Sequence, residues 1–142
     1  MYKVDTLGVI IKKINTLFET EVNNILKKYD ITKAQGDVLR YLNCHKNEKV
    51  SQRDIEKHFG ISNPTVSGIL NRLEVKDLIE RKSCVKDARI KYITTTLKAD
   101  KLYEKIRHNF KRKEAQLKVG LSAEEEEQLF DLLHRILQNM SK

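Results

Sequence analysis

Residues 51–81 read SQRDIEKHFGISNPTVSGILNRLEVKDLIER. Two short helices can be written onto this stretch, with sharp punctuation between them. Ser51 is a helix cap with Asp54 at the reciprocal position three residues on, and Val50 and Ile55 occupy the two places of a hydrophobic staple. Ile55 and Phe59 point inward, and Gly60 ends the first helix as a left-handed residue. The second helix begins at the only proline of the chain. A residue ahead of proline is pushed out of helical geometry, and proline is favoured in the first turn, where its missing N–H costs nothing. Asn63 is therefore the expected N-cap and Pro64 the first helical residue. Val66, Ile69, Leu70 and Leu73 follow at i, i+3, i+4 and i+7, one buried face. The opposite face carries Pro64, Thr65, Gly68, Asn71 and Arg72, with Ser67 at its edge. It is small and polar, with no large apolar residue that needs cover.

Downstream the period changes. Ile79, Arg81 and Ser83 alternate with Glu80 and Lys82, and Ile90, Tyr92 and Thr94 alternate with Lys91, Ile93 and Thr95. The two runs flank CVKDA at 84–88, which predicts a β-hairpin with a basic tip. Upstream, Thr32 with Gln35 forms a capping box for a helix whose inner face is Val38, Leu39 and Leu42. Residues 6–29 carry Leu7, Ile10, Ile11, Ile14, Leu17, Phe18, Val22, Ile25 and Leu26 at steps of three and four. Such a helix, about 36 Å long at 1.5 Å per residue, exceeds what so small a domain needs for itself. Residues 97–118 are expected to be helical, with Leu102, Ile106, Phe110 and Leu117 inward and an excess of lysine outside. Ser122 and Glu125 box a last helix, and Glu124 to Glu127 crowd its N-terminus, where the helix dipole favours negative charge. Its Leu129, Phe130, Leu132, Leu133, Ile136, Leu137 and Met140 are very apolar for a terminal helix.

The chain has 142 residues, 39% hydrophobic and 34% charged, enough for one compact core built on aliphatic side chains. Its net charge of +8 suits a polyanionic partner, nucleic acid or an anionic membrane, but equally an inert basic surface; the placement of the charge has to decide. Nothing resembles a signal peptide or a membrane span, and Cys44 and Cys84 form no CxxC pair, so a cytoplasmic location with reduced thiols is expected. His45, His58, His108 and His134 lack zinc spacing. No glycine-rich phosphate loop, paired-carboxylate constellation or nucleophile–base pair stands out, so neither an enzyme nor a resident cofactor is expected.

Two short helices joined by a tight turn and followed by a hairpin describe a winged helix-turn-helix. A recognition helix must bring its N-terminal half against base edges in the major groove. Pro64, Thr65, Ser67 and Gly68 permit close approach, while Asn71 and Arg72 reach, with pairing preferences for adenine and guanine respectively. Lys82, Lys86 and Lys91 in the hairpin, with Lys33, Ser51 and Gln52 at helix starts, are candidates for phosphate. Small exposed residues on a helix can equally be an inert solvated face of a protein-interaction module. Gly68 can equally make room for a neighbouring helix.

From about residue 30 to 100 the chain resembles MarR-family transcriptional regulators. Residues 51–81 match the family's helix-turn-helix nearly position for position, and KDARIKYITTTLKAD at 86–100 is similar to its wing with the D-x-R motif, here Asp87 and Arg89. The long first helix and LSAEEEEQLFDLLHRIL at 121–137 resemble the family's dimerisation helices. The resemblance implies a mainly α fold with a small β-hairpin wing. Residues 1–30 and 97–142 would form a helical dimerisation region and 31–96 the DNA-binding lobe, as one continuous folded unit. It further implies a homodimer on a pseudo-palindromic double-stranded DNA site, most often as a repressor released by a small ligand or by oxidation. Within it Arg89 would reach the minor groove or its phosphates, with Asp87 holding the guanidinium. The chain departs from the family where Asp77 replaces a glycine; aspartate can take the same left-handed turn at some cost. Peroxide-sensing relatives carry their cysteine in the first helix, where this sequence has none. Cys84, beside Lys82 and Lys86, and Cys44 are the thiols left for a redox switch.

Overall fold

A computed structural model describes residues 5–142; the start of the expected dimerisation region, 1–4, lies outside the described residues. The elements run α1 (Leu7–Lys28), α2 (Lys33–Cys44), β1 (Val50–Ser51), α3 (Gln52–Phe59), α4 (Asn63–Val75), β2 (Ile79–Ser83), β3 (Lys91–Thr95), α5 (Leu97–Leu117) and α6 (Ala123–Met140). Two compact units divide the chain, one extending to Asn109 and the other covering Phe110–Lys142.

In the first unit the expected starts of α2 and α3 are built as read. Thr32 Oγ1 accepts the Gln35 N–H at 3.1 Å, and Gln35 Oε1 accepts the Thr32 N–H at 3.3 Å. Ser51 and Asp54 exchange the same pair of bonds at 3.2 and 2.9 Å. Gly60 ends α3 with φ 63°. Asp77 turns the chain out of α4 with φ 58°, in the left-handed region proposed for it. Its carbonyl accepts the Thr96 hydroxyl at 2.7 Å, and Thr96 Oγ1 in turn accepts the Ala99 N–H at the start of α5.

The hairpin is present, and it gains a third strand. The antiparallel order is β1–β3–β2, with Val50 opposite Ile93 and Ile79 opposite Thr95. Two residues are too few to show alternation, so β1 left no periodic trace in the sequence. Ile93 is the β3 side chain that enters the core, while Ile90 lies outside the strand and is exposed.

The core gathers Ile55 from α3, Val66, Leu70 and Leu73 from α4, Leu78 and Ile79 at the hairpin base, and Val38, Leu39 and Leu42 from α2. Ile69 and Phe59 are only half-buried. Leu70 is 0% exposed, so Leu70→Ala removes packing that nothing replaces. We expect it to lower stability by roughly 2–5 kcal/mol in urea denaturation. Among the described residues, Gln35 is the buried polar group, and no buried side-chain nitrogen or oxygen lacks a partner.

The second unit holds the end of α5 and all of α6, capped by Ser122 with Glu125 as expected. Leu117, expected inward, is 49% exposed: periodicity finds an apolar face but not what covers it. The apolar side chains of α6 from Leu129 to Met140 are exposed apart from the half-buried Ile136, and Leu7, Val9, Ile11, Ile14 and Leu17 of α1 are exposed too.

Candidate nucleic-acid interface

The start of α4 is set one residue earlier than expected. Ser62, not Asn63, is the N-cap: its Oγ accepts the Thr65 N–H at 3.4 Å and pairs with Thr65 Oγ1 at 2.9 Å. Both residues are good caps, and a proline one place deeper still sits among N–H groups that have no helical partner. Asn63 instead opens the helix and donates from Nδ2 to Glu56 Oε2 of α3 at 3.0 Å.

Pro64, Thr65, Gly68, Asn71 and Arg72 are all exposed on one side of α4. A Cβ built at Gly68 meets nothing within 4 Å. That excludes the reading in which this glycine makes room for a neighbouring helix of the same chain. Ser67 at the edge accepts from Gln52 Nε2 at 2.8 Å, so these two candidates meet and fasten the start of α3 to α4.

A contact not read from the sequence joins α4 to the wing. Arg81 of β2 donates from Nη2 to Asn71 Oδ1 at 2.6 Å and to Glu74 Oε1 at 3.0 Å, and from Nε to Glu74 Oε2 at 3.2 Å. The Arg81 hydrogen bond holds the Glu74 carboxyl below the usual range. Only one lone pair of Asn71 is used, so its amide N–H₂ and the second lone pair are still free to read a base edge. The available signal was the opposite charge of Glu74 and Arg81 across a turn that reverses the chain. Arg72, by contrast, has no hydrogen-bond or ion-pair partner among the described residues.

At the wing tip Asp87 and Arg89 form a two-pronged pair, Nε to Oδ1 and Nη2 to Oδ2, both at 3.1 Å. Asp87 Oδ1 also accepts the Arg89 backbone N–H at 3.0 Å. The Arg89 side-chain bonds, then this backbone bond, pull the Asp87 carboxyl below its ordinary value. The Arg89 side chain is 90% exposed, so its guanidinium is oriented without being covered. Lys82, Lys86 and Lys91 are exposed along the same hairpin. Ser51 is occupied as a cap. Lys33 is bonded to Glu19 of α1 at 2.7 Å rather than to any other candidate.

The wing also holds Cys84. The backbone N–H groups of Asp87 and Lys86 lower its thiol below the ordinary range, assisted by the Tyr92 hydroxyl and the charge of Lys49. Tyr92 is pushed up in return, first by the charge at Cys84 and then by burial. The Lys49 ammonium lies over the Tyr92 ring, 5.6 Å from its centre. Cys44 at the end of α2 is exposed.

Among the described residues no group of three or more His, Cys, Asp or Glu could hold a metal ion, and no helix is long and apolar enough to cross a membrane.

Residues 29–90 match the MarR family. Over nearly all of its length the chain is similar to Staphylococcus aureus MepR, a transcription regulator of the multidrug efflux pump MepA. The identity is 33%, with 96% of this chain and 99% of that one covered and a TM-score of 0.86. The S. aureus MepR–DNA complex matches with 33% identity, 95% and 96% coverage and a TM-score of 0.73. S. aureus MepR bound to ethidium bromide matches with 34% identity, 96% and 97% coverage and a TM-score of 0.72.

Proposed function

Since this chain belongs to the MarR family of DNA-binding transcription regulators, which are not enzymes, we propose that it acts in the cytoplasm as a homodimeric repressor. Its operator is a pseudo-palindromic DNA site, from which a small ligand releases it. The observation that carries the DNA reading is the pairing of a bare helix face with an oriented, uncovered arginine. Around Gly68 there is open space, and in the wing Asp87 presents Arg89 outward. A major groove accepts the first and a minor groove or its phosphates the second. The similarity to MepR, which was solved in complex with DNA, supports DNA as the partner. Lys82, Lys86 and Lys91 would add salt-dependent phosphate contacts.

The exposed leucines of α1 and α6 support the dimer, because apolar faces of that extent on a soluble chain call for a partner. That MepR binds ethidium bromide supports a small-molecule ligand for this chain.

Selection of bound duplexes from a random pool tests the proposal. Expected is an inverted repeat with half-sites about 34–36 Å apart, bound with an affinity that falls steeply with salt. A pool with no enriched sequence would return the domain to the protein-interaction class. A stable monomer at micromolar concentration in sedimentation would contradict the two-fold site.

A second reading adds thiol control at Cys84, favoured by the backbone N–H groups of Asp87 and Lys86 that surround its sulfur. A lowered thiol pKa means more thiolate at a given pH, so reactivity appears at lower pH than for an ordinary cysteine. Alkylation by iodoacetamide at pH 7 is expected to modify Cys84 faster than Cys44. Equal rates at pH 7, or operator binding indifferent to peroxide in wild type and Cys84→Ser alike, remove this reading.

A further inference from the structure

The α1–α2 turn, the end of α4 and the first turns of α5 border an open cavity of about 380 Å³ at the surface, where Lys98, Lys101 and Lys105 are exposed. It lies at the C-terminal end of α4, about 18 Å along the helix axis from Pro64 at 1.5 Å per residue, and so away from the face assigned to DNA. Four lysines line it: Lys76, Lys98, Lys101 and Lys105. Its apolar wall is Ile31, Leu78 and Leu102.

The charge there is not balanced among the described residues. The one carboxylate of the lining, Asp30, has a side chain 97% exposed and only a 3.8 Å approach to the Lys76 ammonium. Lys76 donates instead to neutral acceptors, the Asp30 carbonyl and Gln35 Oε1, and Lys98 donates to the Lys76 carbonyl at 2.9 Å. The Lys101 and Lys105 ammonium groups have no hydrogen-bond or ion-pair partner among the described residues. Lys101 and Lys105 also stand at i and i+4, a spacing at which like charges weaken a helix.

We infer that this cavity binds a small phosphorylated molecule. Several point-charge donors with no arginine fork suit a compact dianion whose three oxygens can be shared among ammonium groups. A single carboxylate would leave most of the charge unmatched, and a cation is repelled. The aliphatic wall takes the body of the ligand, and the volume suits a group the size of a pentose phosphate. Lys76 ties the end of α4 to the α1–α2 turn, so a ligand that draws on Lys76 acts on the seating of the recognition helix. The inference goes beyond the ligand-release reading, whose support is a cationic ligand of MepR, and rests on it only for that effect on DNA, because binding can be measured without an operator.

Titration calorimetry of the intact protein with ribose 5-phosphate and with pyrophosphate tests it, with ribose and benzoate as controls. Saturable binding of at least one phosphate compound is expected. It should weaken at least ten-fold in the double variant Lys101→Gln with Lys105→Gln and stay unchanged in Lys111→Gln. Circular dichroism is expected to show the double variant folded. No binding at millimolar concentration, an equal loss in Lys111→Gln, or tighter binding of benzoate than of either phosphate compound would overturn the assignment. Loss of DNA affinity in the double variant, with no phosphate binding by the wild type, would make these lysines DNA-backbone contacts and overturn it as well.

Discussion

Arg89→Ala is expected to lower operator affinity by roughly 10- to 100-fold at matched salt, the scale of about 1–3 kcal/mol for losing one specific arginine contact. It should do so without unfolding the protein. The Arg89 side chain is 90% exposed and its ion pair with Asp87 lies at the surface, where such pairs contribute about 0–1 kcal/mol. Asp87→Asn is expected to cost less, because the guanidinium stays while its orientation loosens. Gel-shift titration and thermal melting of the three proteins check this. Unchanged affinity for Arg89→Ala would remove the wing from the interface.

Gly68→Leu has the second large effect, with opposite signs on stability and on binding. Glycine costs a helix about 1 kcal/mol relative to a good helix former, and the space around Gly68 is open. Leucine should therefore leave the melting temperature equal or higher, yet place a branched side chain between the helix and the groove floor. Operator binding is expected to fall more than ten-fold, whereas Gly68→Ala should bind close to wild type and melt higher. A Gly68→Leu protein that binds normally would mean that this face does not approach DNA.

What could be read from the sequence depended on how local the controlling interaction is. The capping boxes of Thr32, Ser51 and Ser122 close within three residues, and all three stand as read. The left-handed turns at Gly60 and Asp77 are likewise local. Ser62 was missed because two adjacent residues can both cap, and the contact of Asn63 with Glu56 that separates them crosses to another helix. Arg81 was missed for the same reason: its partners Asn71 and Glu74 meet it only after the chain turns. The lysines around the α5 cavity read only as the basic side of a helix, since its other walls come from α4 and the α1–α2 turn. The outward face of α4 was legible in full, because helical periodicity alone sorts its residues.

The Arg81 bridge has a consequence for tolerance rather than affinity. A wing free to swing would follow an operator whose two contact regions vary in separation. With β2 pinned to the C-terminal part of α4 through Asn71 and Glu74, helix and hairpin would approach a duplex as one gauge of set width. An inserted base pair moves its neighbours by about 3.4 Å along the duplex axis. Sites that keep the bases but change the interval should therefore be rejected more sharply than sites that keep the interval and change a base.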